Sequence, residues 1–170
     1  MDAKQVITSQ YLAALEMLRQ TIEKCPEALW DDARDRNRFW HVAYHALFYT
    51  HLYLQTSEGD FKPWSGHRPQ YQYLGSVPWA PPDAPKIGEP YAKADVLAYV
   101  DFCKAEVRTK VAALDLESAT SGFEWLPFGK LELQLYNLRH LQQHAGELME
   151  RLWTRESIEV GWVGRQHDSE

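Results

Sequence analysis

Hydrophobic residues recur at helical spacing in four separate stretches of the chain. Residues 6–25, VITSQYLAALEMLRQTIEKC, place Ile7, Tyr11, Leu15, Leu18 and Ile22 along one helical face, and Pro26 follows where a helix has to stop. The polar stretch DDARDRNR then supplies acidic residues suited to a helix start. An aromatic-rich helical pattern runs on over 35–55, with FWHVAYHALFYTHLYLQ at its centre. A third helix is predicted over 91–116 from the spacing of Val96, Val100, Cys103, Val107, Val111 and Leu114. The fourth, LELQLYNLRHLQQHAGELMERLWTR, covers 131–155. Between these two, SGFEWLPFGK reads as a turn or short hairpin, and the tail IEVGWVGRQHDSE alternates too little to assign.

The periodicity collapses over 58–90, a segment that holds seven of the nine prolines. So long a connection without its own periodicity is uncommon in a compact domain unless it serves as a lid or binding loop, and the plainer alternative is a cap on one end of the core. Phe61, Trp64, Tyr71, Tyr73 and Trp79 are placed to anchor it. Four helices with one long crossover loop predict an all-α four-helix bundle. The length of 170 residues and a hydrophobic content of 45% suit a single domain over 1–170.

The formal charge of -6 lacks the basic footprint of nucleic-acid or anionic-membrane binding, so neither is an expected partner. No apolar run approaches the roughly 20 residues of a membrane span, and MDAKQVITSQ lacks the basic-then-apolar order of a signal peptide. The expectation is a cytoplasmic protein. Cys25 and Cys103 fit no C-x-x-C pattern and are expected to be buried small hydrophobes.

Candidate chemistry lies in the histidines. The seven histidines include two pairs spaced by four, His41 with His45 and His140 with His144, and both fall in predicted helices. Random placement would give about 0.3 such pairs. Residues four apart on a helix are separated by about 40° and roughly 6 Å, which lets two imidazoles converge on one ion. On the last helix Leu133, Asn137, His140, His144, Glu147 and Arg151 share one stripe, and on the second His41, His45, Phe48, Tyr49 and Leu52 do. Two explanations stand side by side: a metal site, or core histidines satisfied by Asn137, Glu147 and Tyr49. His51, His67 and His167, on another face, in the loop and in the tail, have no evident companion ligands.

At AYHALFYTHLYL and NLRHLQQHAGEL the sequence resembles the DinB/YfiT-like superfamily of metal-dependent proteins, and the resemblance extends in helix order over nearly the whole chain. It implies that one histidine from the second helix and an H-x3-H pair from the last bind a metal. Carried over, these are His45, His140 and His144, with His45 chosen because the family's ligand precedes the aromatic run. His41, one turn away, becomes a supporting residue or an alternative ligand. The resemblance also implies activities such as S-transfer with low-molecular-weight thiols, bacillithiol or mycothiol, and thiol-dependent maleylpyruvate isomerisation.

Three neutral imidazoles leave a divalent ion its formal charge of +2, enough to deprotonate a thiol or water near neutral pH. Zinc is the default for such a donor set, with nickel and other first-row ions also suited to imidazole. The leading expectation is thus a metal-dependent transferase or hydrolase acting on a small-molecule substrate, with a thiol cofactor possible and no catalytic residue assigned. The alternatives are a non-catalytic metal-binding or stress-related protein and a metal-free ligand-binding bundle. Glu147 could orient a ligand, serve as a base, or be a solvated carboxylate. A homodimer is compatible with the sequence.

Overall fold

The computed structural model describes residues 2–75 and 87–166, and within them the chain forms five helices and no strand. Helix α1 spans Ala3–Lys24, α2 is the single turn Glu27–Trp30, α3 spans Phe39–Tyr53, α4 Lys93–Ala113 and α5 Lys130–Glu156. The four long helices make the bundle. Helix α1 packs on α4 and α5, and α3 packs on α5 and α4, which leaves α1 with α3 and α4 with α5 on the diagonals.

Cross-helix bonds fix the directions. Lys4 Nζ donates to the Ala112 carbonyl at 2.8 Å and Lys104 pairs with Glu16, so α1 and α4 run antiparallel. Asn137 Nδ2 donates to the Thr50 carbonyl at 3.1 Å and Gln134 Nε2 to that of Tyr53 at 3.2 Å, so α3 and α5 are antiparallel too. Tyr44 stands beside Tyr99, and Gln55 beside Glu106, which makes α3 and α4 parallel. The chain leaving α3 therefore has to travel back along the bundle before α4 can start, and the crossover segment covers that distance.

Three element boundaries differ from the sequence reading for physical reasons. Helix α3 begins at Phe39 instead of 35 because the acidic residues before it serve α5: Asp35 accepts from Arg155 at 2.5 Å, and Asp32 accepts from the same arginine at 3.1 Å. Helix α4 stops at Ala113, where Leu114 turns to extended backbone. The 121–130 connector is a series of turns, organised by Ser121 Oγ, which donates to the Leu126 carbonyl at 2.6 Å. Gly122 is required there: its φ is +87°, and an added Cβ would fall 2.1 Å from the Thr56 carbonyl. Lys130 is 3% exposed and its ammonium caps the exit of α3, donating to the Thr56 carbonyl at 2.7 Å and to that of Ser121.

Helix α3 carries the core. Of its fifteen residues all but His45 and Tyr49 are buried. Aromatics of the crossover pack on α3 and on α4. Trp64 stacks on Tyr99 at 4.6 Å, Phe61 meets His51 and Phe48 at 4.9 and 5.3 Å, and Tyr71 packs on Trp40 at 5.7 Å. Trp79 lies outside the described residues, as does His167. The tail runs beside α1, with Lys24 Nζ on the Glu159 carbonyl at 2.6 Å and Gln10 on that of Gly164 at 3.1 Å. Cys25 and Cys103 are free and buried. No helix among the described residues is long and apolar enough to cross a membrane.

Candidate metal centre

The antiparallel register of α3 and α5 sets residue 45 opposite residues 140 and 144. There the ligand atoms of His45, His140 and His144 all lie within 4.8 Å of one another. His45 Nε2 and His140 Nε2 are 3.1 Å apart. Two nitrogens each about 2.05 Å from one zinc ion at a tetrahedral angle would be separated by about 3.3 Å. No fourth His, Cys, Asp or Glu among the described residues joins the group.

The outer nitrogens decide which lone pairs face inward. His45 Nδ1 donates to the Gln72 carbonyl at 2.6 Å, and an acceptor that is always a carbonyl requires the proton on Nδ1. His144 Nδ1 faces the Glu147 carboxylate at 3.2 Å and carries its proton for the same reason. In the neutral rings both Nε2 atoms are then unprotonated and available to a cation. His140 Nδ1 is buried with no protein partner among the described residues, while its Nε2 faces His45 Nε2 at 3.1 Å. Burial, reinforced by the neighbouring imidazoles, holds His45 well below its ordinary pKa and brings His140 down to about 4, so both stay neutral at pH 7. Neutral imidazole is the form that binds metal. The three histidines could hold a metal ion, and the donor set fits a first-row divalent cation.

Glu147 is engaged although its side chain is part-exposed. Its Oε2 accepts from His144, its Oε1 accepts from Arg151, and these contacts keep its carboxyl below the usual range. Arg151 in turn donates to the Asn37 carbonyl at 2.7 Å and lies 3.6 Å from Asp35, tying the α5 ligand to the segment that precedes α3. Tyr49 walls the site, its ring 4.8 Å from His45 and 5.4 Å from His140. Asn137, a candidate partner for the histidines in the sequence, instead donates to Thr50.

The remaining histidines stand apart. His41 gives its Nε2 proton to the Tyr71 carbonyl at 2.8 Å and is no member of the cluster. His67 Nδ1 pairs with the Tyr44 hydroxyl at 2.7 Å. His51 sits on the opposite side of α3 between Phe61 and Phe102, its Nε2 3.8 Å from Glu106. Sequence reasoning missed Gln72 and named Tyr71 only as a loop anchor; both act through backbone carbonyls, which carry no side-chain signature.

A four-helix bundle in which three imidazoles from two antiparallel helices converge defines a class of helical proteins with a cluster that could hold a cation. The chain belongs to the DinB superfamily, whose sequence profile matches residues 10–148. No curated protein and no solved structure matches it.

Proposed function

We propose that this chain is a metal-dependent enzyme of small molecules, a thiol-dependent S-transferase or a hydrolase, built on a divalent ion held by His45, His140 and His144. The observation that carries the reading is the convergence of three ligand atoms within 4.8 Å with no fourth protein donor among the described residues. A structural metal site closes its coordination with protein ligands, whereas a catalytic one leaves a position for substrate or water. The burial pattern of α3 supports the same reading. The helix is wrapped everywhere except at His45 and Tyr49, so access from solvent falls beside the cluster.

Zinc is the ion proposed. When bound, such an ion supplies Lewis acidity and lowers the pKa of a thiol or water placed in its open position. The chain's own residues supply the rest. His45 and His144 present unprotonated Nε2 atoms because Gln72 and Glu147 hold their outer protons, and Tyr49 excludes water from one flank of the cluster. No protein base is needed to generate the nucleophile, in keeping with a site whose ionisable members are imidazoles and one carboxylate already paired to Arg151.

Protein purified without added metal is expected to carry about one divalent ion per chain by elemental analysis, lost in His45→Ala. Turnover of a generic electrophile with a panel of low-molecular-weight thiols, or of activated esters in water, is expected to disappear on chelation and return on reloading. A loaded protein inert in every assay would favour a non-catalytic metal-binding role, and one that takes up no metal would leave a hydrogen-bonded histidine core.

A further inference from the structure

Helix α3 carries two histidines one turn apart, and the crossover loop meets both with two consecutive backbone carbonyls. Tyr71 accepts from His41 Nε2 at 2.8 Å, and Gln72 accepts from His45 Nδ1 at 2.6 Å. A turn over 69–72, with Gln70 in the left-handed region at φ 72°, delivers these carbonyls to successive turns of the helix. The turn is stitched to the far end of the loop. The Tyr71 hydroxyl donates to the Glu89 carbonyl and accepts from Gly88 N, each at 3.0 Å, while Arg68 donates to Glu89 at 2.6 Å and lies 4.3 Å over the Tyr91 ring.

We propose that His41 is a positioning residue for His45, acting through the Tyr71–Gln72 backbone, so that docking of the 69–72 turn on α3 and metal binding are coupled. The proposal rests on the three-histidine reading of the metal centre. Although His41 and His45 have the spacing of a ligand pair, His41 is 5% exposed, stacks on Trp40 at 5.0 Å and spends its Nε2 on the loop. To ligate, it would have to release the turn that orients its neighbour.

The chemistry of the coupling is tautomeric. A neutral imidazole carries one proton, and the Gln72 carbonyl keeps it on His45 Nδ1, leaving Nε2 free. With the turn displaced, His45 can take either tautomer, and one of them blocks the coordinating nitrogen. Apparent affinity then falls with the fraction of competent molecules. Coupling is reciprocal, so an ion on His45 Nε2 stabilises the Nδ1–H form and, through Gln72, the docked turn.

Two variants separate bulk from donor: His41→Phe keeps a buried ring without an N–H, and His41→Gln keeps an N–H able to reach Tyr71. Zn2+ and Co2+ alone are the probes, read by chelator competition, with the Co2+ absorption spectrum reporting ligand number. His41→Phe is expected to weaken binding by about tenfold, in the range for outer-shell partners of metal-bound histidines. It should leave the Co2+ spectrum in shape unchanged and speed chymotrypsin cleavage at Tyr71 and Tyr73, with His41→Gln close to the unaltered protein in all three. Nitrogen-15 NMR of the metal-free proteins is expected to find His45 fixed as Nδ1–H in the unaltered chain and exchanging between tautomers in His41→Phe. Full affinity together with a fixed His45 tautomer in His41→Phe would overturn the proposal, as would a changed Co2+ ligand count, which would make His41 a ligand. If the unaltered chain binds neither ion, the three-histidine reading falls, and the tautomer measurement still decides the role of His41.

Discussion

At the scale of single residues, the site is governed by what sits behind each imidazole. The spacing of His140 and His144 was legible in the sequence, and so was Glu147 at i+3, because helical geometry alone places those side chains together. The choice between His41 and His45 was not legible from spacing. It depends on which ring faces α5 and on which nitrogen each loop carbonyl takes, Nε2 of His41 but Nδ1 of His45, and the loop has no periodicity from which to read its path. Glu147 is the clearest individual test. Its carboxylate holds the His144 proton on Nδ1 and is itself anchored by Arg151. Glu147→Ala should therefore lower metal affinity by about 10- to 100-fold without changing stoichiometry, measured by competition with a chelator of known affinity. Arg151→Met should cost less, because the carboxylate remains.

At the scale of elements, the helices were readable where one face is apolar and the other polar, as in α1 and α5. Helix α3 was readable as a helix, and its spacing set His51 on a different face from His41 and His45, but which neighbour each face meets was not readable. It is apolar nearly all round and buried nearly all round, so no stripe marks which side meets which neighbour. The parallel course of α3 and α4 was hidden as well, although the length of the crossover is its consequence. His51 belongs to the α3–α4 seam and makes that packing sensitive to pH. Burial brings its pKa down to about 4, with Lys110 adding to the effect, while Glu106 and the Tyr99 hydroxyl are its polar neighbours. In the unfolded chain it titrates near 6.5. Between these values the unfolded state binds a proton that the folded state does not, so stability is full above pH 6.5 and is lost as pH falls toward 4. The total is about 3 kcal/mol for a shift of this size. Urea midpoints followed from pH 7.5 to 5 should fall more steeply for the unaltered protein than for His51→Gln, which cannot titrate. Parallel curves would mean that His51 is already protonated in the fold.

At the scale of the whole molecule, the candidate ion would join α3 to α5, the antiparallel pair that the buried Asn137 and Gln134 bonds already hold in register. The core does not depend on it. Side chains from all four long helices form the buried cluster, and a chain of 170 residues buries enough surface to fold without a metal staple. Metal should therefore add to stability instead of creating it, because an ion that binds the native arrangement and not the unfolded chain stabilises by mass action. At free metal about 100 times the dissociation constant the gain is about 2.7 kcal/mol, which for a chain of this size raises Tm by about 5–10 °C. His144→Ala is expected to fold, to lose tight binding and to show no metal-dependent rise. His51→Ala, which opens a cavity on the other side of α3, should melt lower than the unaltered protein yet keep the full metal-dependent increment. Differential scanning calorimetry with and without zinc checks both at once. A rise that survives in His144→Ala, or one that vanishes in His51→Ala, would move the ion away from the α3–α5 seam and take the proposed centre with it.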